Sequence, residues 1–181
     1  MSAKLALTVL LAAALGAAAA PGNGAQQPGA PQAPYPLDEV PDKMPFDIPY
    51  GAPIALERAN AAIAAAVAEA RRHDWKLNVA VVDSGGNLVA FARMDGAQLA
   101  SIQIAEHKAR TAVTFRRETK VFEKGIQQGG NLYAMTLDGM IGSRGGIPLV
   151  EGGKLIGAIG CSGGTGSQDE VACKAGVATI K

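Results

Sequence analysis

Glu106-His107-Lys108-Ala109-Arg110-Thr111 packs an imidazole, two cations, a carboxylate and a hydroxyl into six residues. Around it, from Ala100 to Lys124, six basic residues (Lys108, Arg110, Arg116, Arg117, Lys120, Lys124) stand against three acids (Glu106, Glu118, Glu123). If the segment is helical, Ile104, Lys108, Thr111 and Phe115 fall on one stripe, spaced four, three and four apart, and His107 and Thr111 are neighbours. Taken alone, such a stretch reads as a solvated basic face with His107 as an exposed polar residue. It also suits a small anionic ligand.

A second stretch, Gly160-Cys161-Ser162-Gly163-Gly164, has the G-x-S-x-G form of a hydrolase nucleophile. A strand–elbow–helix hydrolase needs its acid and histidine after the serine, but His73 and His107 both precede Ser162. The trypsin-like order belongs to a fold of two β-barrels, whereas this chain is Ala-rich and helical. A phosphate loop needs Lys followed by Ser or Thr at the helix start. Here Gln168-Asp169-Glu170 opens the helix, and its acids repel a phosphate. What remains is structural: Gly163, Gly164 and Gly166 turn the strand sharply, and Ser167 or Thr165 caps the helix. Two histidines and two cysteines never fall at metal-ligand spacing.

The other candidates are single residues. Asp83, Arg93 and Asp95 flank a hairpin, where turn and strand-end hydrogen bonds account for them. Arg144, before Gly145-Gly146, either meets a carboxylate or is a solvated strand end.

These positions need elements to hold them. Ile54 to His73 is predicted helical from apolar residues at helical spacing among Glu57, Arg58, Glu69, Arg71 and Arg72. Strands Leu77–Val82 and Leu88–Arg93 flank Asp83-Ser84-Gly85-Gly86-Asn87, which is hairpin-turn chemistry. Ala100 to about Gly125 is helical, interrupted near Phe115–Thr119. Ala134–Ile141 supplies a further strand. A second hairpin joins Gly146–Val150 to Leu155–Ile159, and a helix Gln168–Ile180 closes the chain. The order α-β-β-α-β-β-β-α, with hairpins in place of crossovers, predicts an antiparallel sheet with helices packed on it.

Leu5 to Ala20, with Lys4 the only charge before it and four alanines at its end, reads as a secretory signal peptide over residues 1–20. It is shorter than a membrane span, so the chain is expected to be exported, periplasmic or extracellular, without stable membrane insertion. Residues 21–53 are rich in proline and form a leader and extended arm; residues 54–181 form one domain. Without Lys4 the 17 Lys+Arg become 16, against 16 Asp+Glu. That neutral balance excludes a nucleic-acid binder. Apolar residues make up 48% of the chain, enough for one core. Ala-rich helices on a thin sheet leave apolar area that a lone domain buries poorly, which points to a homo-oligomer.

Several stretches together resemble the GlcG/HbpS-like proteins, which include the C-terminal domain of PduO-type adenosyltransferases. Val81-Val82-Asp83, Gly86-Asn87-Leu88-Val89-Ala90-Phe91 and Arg93-Met94-Asp95-Gly96-Ala97 are similar to that family's first hairpin. Lys108-Ala109 with Thr111-Ala112 resembles its second-helix signature. Gly145-Gly146, Pro148-Leu149, Gly157-Ala158-Ile159-Gly160, Ser162-Gly163-Gly164 and Gln168-Asp169 resemble its closing hairpin and last helix. The resemblance implies a profilin-like three-layer α/β/α fold of the α+β class, with a five-stranded antiparallel sheet assembled into dimers or rings up to octamers. It also implies haem binding by secreted members, some of them linked to haem degradation or redox sensing.

Haem is a flat apolar plate with an iron and two propionates. It needs an apolar wall, cationic ends and a nitrogen or oxygen donor near the metal. The helix around Lys108 offers these, with His107 or Thr111 as the donor to iron. Lys108, Arg144, Asp83 and Arg93 complete the candidate ligand positions. Three alternatives stand beside this: a small-molecule or corrinoid-related binding module, an enzyme acting on a small carbonyl or acid with Asp83, Lys108 and Arg144 in its cleft, and a purely structural oligomer. Cys161 and Cys173 depart from the family's small apolar residues. The Ser162–Ser167 turn folds the last helix back onto the sheet. The two cysteines are therefore either a disulfide, as an oxidising compartment permits, or buried thiols acting as small hydrophobes.

Overall fold

The computed structural model describes residues 40–44 and 46–181. The expected signal peptide 1–20 and the Pro-rich leader as far as residue 39 lie outside the described residues.

Alanine builds the first helix, α1 (Leu56–Arg72), and its buried face is almost side-chain-free: Ala59, Ala62, Ile63, Ala66 and Ala70. The helix ends where Trp75 N–H returns to the Ala70 carbonyl and Asp74 takes a left-handed φ of 55°. That is a usual C-terminal stop, with a residue that tolerates the conformation. β1 (Asn78–Asp83) and β2 (Leu88–Arg93) follow as a hairpin. α2 (Ser101–Thr114) and α3 (Thr119–Gly129) are separate helices, broken where expected, with Arg116 at φ 54°. β3 (Gly146–Glu151) and β4 (Lys154–Ser162) form the second hairpin. α4 (Gly166–Val177) closes the chain. Its Thr165 side chain accepts the Gln168 N–H while the Gln168 side chain accepts the Thr165 N–H, a reciprocal capping box.

The sheet runs β2-β1-β4-β3, antiparallel throughout. Strand alternation divides its side chains. Val79, Val81, Ile147, Leu149, Ile159 and Cys161 join α1 and α4 on one face. Ala80, Val82, Leu155 and Ala158 join α2 on the other. The result is three layers, α/β/α. α2 sits low because Ala80, Gly160 and Gly146 lie side by side on three adjacent strands. A Cβ on Gly160 would collide with the Ala105 carbonyl, and one on Gly146 with the Lys108 carbonyl.

The sheet has four strands, not the five expected. Ala134–Ile141 supplies none: Leu132–Thr136 is a short 3-10 helix and the rest is loop. Alternation runs only through Met135-Thr136-Leu137-Asp138 before Gly139 ends it, and Leu132, Tyr133 and Met135 are exposed while Ala134 is buried. Its backbone is held by a side chain instead of a ladder, the Ile141 N–H donating to Thr111 Oγ1 at 3.0 Å. Extra pairing comes from before α1. Gly51 N–H donates to the Leu155 carbonyl, Leu155 N–H to Pro49, and Ile54 N–H to Ile156, at 2.8–2.9 Å, parallel to the end of β4 that β1 does not reach. The extended arm is therefore part of the domain from about Phe46 onward. The Tyr50 hydroxyl reaches the last carbonyls of α2 at Val113 and Thr114, and Arg117 lies 3.2 Å over the Phe46 ring. Among the described residues no helix is long and apolar enough to cross a membrane.

Candidate functional site

His107 and Lys108 are adjacent on α2 and meet opposite environments. Lys108 is 1% exposed. Its ammonium donates to Asp169 Oδ2 at 2.8 Å and to the Cys161 carbonyl at 3.2 Å. The other Asp169 oxygen accepts the Gly164 N–H at 3.0 Å. Burial pushes the Asp169 carboxyl above its ordinary range, against the pull of the Lys108 charge and its hydrogen bonds. Gly145, at φ 112°, closes the chamber, since a Cβ there would lie 2.8 Å from both Asp169 Cβ and the Cys161 carbonyl oxygen.

Arg144 continues this network outward. Its Nε and backbone N–H both donate to Glu123, at 2.6 and 2.7 Å, and its guanidinium stands 3.6 Å from Glu170. Glu170 also receives Lys120 and Lys174 at 2.7 and 2.5 Å. Arg144 thus meets carboxylates, and they belong to the protein itself. Burial pushes the Glu123 carboxyl up, but the hydrogen bonds and charge of Arg144 outweigh it and leave it below the ordinary range. Glu170 follows the same pattern, burial being outweighed by Lys120 and Lys174.

A depressed carboxyl contributes stability that is present above its unfolded pKa, about 4.3 for glutamate, and lost as pH falls through the folded value. Asp169, raised by its burial, does not add to this acid limb. The thermal midpoint should therefore hold through neutral pH and fall below about pH 4. In Glu123→Gln the acid limb should be shallower and start from a lower plateau, as calorimetry across pH 3–7 would read. An unchanged limb would remove Glu123 from this role.

The remaining expected positions scatter. Thr111 is fully buried, and its hydroxyl donates to the Gly139 carbonyl at 3.3 Å while accepting the Ile141 N–H. It anchors the loop after the 3-10 helix and is committed there, so it presents no free oxygen to a metal. Asp83 spends its carboxylate on the hairpin turn, accepting N–H groups of Gly85 and Asn87 at 2.8 and 2.9 Å. Arg93 lies exposed at the opposite end of that hairpin, across from Asn78. No cleft brings Asp83, Lys108 and Arg144 together: one is in the turn, one under Asp169, one between two glutamates. Among the described residues no group of three His, Cys, Asp or Glu could hold a metal ion.

Within Glu106–Thr111, His107 and Arg110 are the exposed residues. Arg110 Nε donates to the Gly86 carbonyl at 3.3 Å, tying α2 to the first hairpin turn. The second histidine, His73, stacks on Trp75 at 4.3 Å and bonds Glu69. Cys161 and Cys173 are joined in a disulfide, with Cα atoms 5.7 Å apart.

Sequence reasoning missed Asp169 as the partner of Lys108, and Glu123 and Glu170 as partners of Arg144. The one local signal was the glycine pair Gly145-Gly146, which marks a close approach of backbone to another element.

The chain matches the model of a family described as haem degrading protein HbpS-like over residues 54–178. Protein GlcG of Escherichia coli strain K12 is 39% identical over 109 residues, covering 60% of this chain and 81% of GlcG. A double mutant of Streptomyces reticuli HbpS superposes with a TM-score of 0.66 at 31% identity, covering 79% of this chain and 97% of the other. A PduOC:haem complex superposes with a TM-score of 0.65 at 29% identity, covering 71% and 96%. By its match over most of its length and by these likenesses, the chain belongs to the HbpS-like family.

Proposed function

We propose that this is an exported haem-binding protein and that the outer face of α2 is its binding surface. The observation that carries the reading is His107, an exposed imidazole beside Lys108 and Thr111, whose side chains are committed inward. The donor set fits: a single imidazole nitrogen suffices for one axial position. Ile104, one turn earlier and half-buried, and Met140 and Ile141, in the loop that Thr111 holds one turn later, supply apolar surface on either side. Arg110 is an exposed guanidinium three residues from His107, suited to a carboxylate. Bound haem would supply the iron and its redox or ligand chemistry; the chain supplies the nitrogen donor, the apolar flank and the cation.

The likeness to HbpS and to the PduOC:haem complex supports the ligand. Export is supported by the Leu5–Ala20 segment and by the disulfide, which persists in oxidising compartments. Exposed Val121, Leu132, Tyr133 and Met135 support self-association.

The test is a haemin titration of the mature protein followed in the Soret region. The wild type should saturate, and His107→Ala should shift or abolish the band with affinity lower by about tenfold or more. Its thermal midpoint should be unchanged, because His107 buries nothing. An unchanged spectrum and affinity in His107→Ala would move the site off α2. Failure of the wild type to saturate would favour a haem-free small-molecule module.

A further inference from the structure

We infer that the Cys161–Cys173 bridge is a redox lock on α4, so that the Lys108–Asp169 chamber closes firmly only after the chain is oxidised. The inference goes beyond the haem reading and does not depend on it; only its place in the cell rests on export.

Few large apolar side chains hold α4. Its buried residues are Asp169, Glu170, Ala172, Cys173 and Gly176. Two are carboxylates, the others are small, and half-buried Val177 is the one larger apolar side chain of α4 packed on the core, so burial supplies a modest driving force. The buried ion pair does not make up the difference. Lys108 and Asp169 have side chains only 2% and 3% exposed, and the attraction within such a pair is largely offset by desolvation of both charges. A covalent tie does not suffer that cancellation.

The bridge is placed to act on this pair. Cys173 is four residues after Asp169, hence on the same face of α4. Cys161 accepts Lys108 Nζ with its own carbonyl and donates its N–H to the Gly145 carbonyl at 2.9 Å. One residue therefore carries the sulfur, a hydrogen bond to the buried ammonium, and the contact that seats Gly145. Bridge and ion pair are successive rungs between α4 and the sheet.

Both cysteines are 0% exposed, so an external thiolate reaches a sulfur only when α4 lifts. With a dithiol as reductant, its two thiols close to a disulfide, and Cys161 and Cys173 take up the two electrons and two protons as free thiols. Once reduced, α4 is held by modest burial, by the Lys108–Asp169 pair and by the contacts of Glu170 with Lys120 and Arg144, with no covalent tie. It then opens often, giving water access to Lys108.

The test is hydrogen–deuterium exchange with mass spectrometry on the mature protein, oxidised, treated with dithiothreitol, and as Cys161→Ala/Cys173→Ala. Amide exchange across 166–177 and at Cys161, or at the alanine replacing it, should rise by about tenfold or more in the last two, while α1 and the first hairpin change little. Amine acylation of Lys108, blocked in the oxidised protein, should appear in the same two samples, and reoxidation of the wild type should restore protection. A uniform rise across the domain would overturn the local lock in favour of general stabilisation. Protection of α4 and Lys108 that persists in the reduced protein and in the double variant would overturn it entirely. No haem is present in any arm, so failure here is separate from failure of the haem reading.

Discussion

Asp169→Ala should lower folding stability by about 3–5 kcal/mol, because it leaves the Lys108 ammonium buried without a counter-charge. The ammonium would keep one protein acceptor, the Cys161 carbonyl at 3.2 Å, and Gly164 N–H would lose its own. Domains of ordinary stability hold about 5–15 kcal/mol in total, so this one side chain is a large part of what there is. The pair as a unit is a different matter. Replacing both partners by apolar residues of similar length, as in Lys108→Met/Asp169→Leu, removes the desolvation cost together with the attraction, and such exchanges are often neutral. The double variant should therefore recover most of the loss. Urea melts of the wild type, both single variants and the double variant form the cycle that separates the two quantities. A single variant within about 1 kcal/mol of wild type would mean that water reaches Lys108, contrary to its 1% exposure.

The sequence made the hairpins plain and the chamber opaque, for one reason. Asp83-Ser84-Gly85-Gly86-Asn87 specifies its own conformation, since the Asp83 carboxylate bonds the amides two and four residues on; everything needed is local. The break between α2 and α3 was legible near Phe115–Thr119, as the structure places it. Lys108 is the contrary case. Its stripe with Ile104 and Thr111 was read correctly as a stripe, but helical spacing does not say which way a stripe faces. Its direction is set by Asp169, sixty-one residues later, and by a sheet surface emptied of side chains at Gly146 and Gly160. The same reasoning failed for Ala134–Ile141, where the short alternation Met135-Thr136-Leu137-Asp138 resembles a strand but is part 3-10 turn and part loop, with Met135 exposed. Pairing along the end of β4 came from Pro49–Ile54, a stretch whose prolines argued against any strand. Proline forbids only its own N–H, and here Pro49 contributes a carbonyl. The cysteine pair sat between these extremes: the turn length permitted a bridge without requiring it.

Gly160→Ala tests the feature on which α2 and everything it carries depend. Gly160 has an ordinary strand backbone with no positive φ. Where space allows, alanine at such a site stabilises by about 0.4–1 kcal/mol, through loss of freedom in the unfolded chain. Here there is no space. A Cβ would run into the Ala105 carbonyl and lie 2.6 Å from the Ala109 nitrogen. Both are backbone atoms of α2, so no rotamer change relieves the clash, and the helix must move away from Ala80 and Gly146 as well. Overpacking of this kind costs about 1–3 kcal/mol and occasionally more; with backbone on both sides, the upper end is expected. Gly153→Ala serves as the counterpart. It has a positive φ of 75° but nothing within 4 Å of the added methyl, so it reports conformational strain without collision and should cost about 1 kcal/mol. Urea melts should therefore rank Gly160→Ala well below Gly153→Ala, although the Ramachandran preference alone predicts the reverse. If the order came out reversed, α2 would not be seated on the bare row of the sheet. The positions assigned to His107, outward, and Lys108, inward, would then lose their common support.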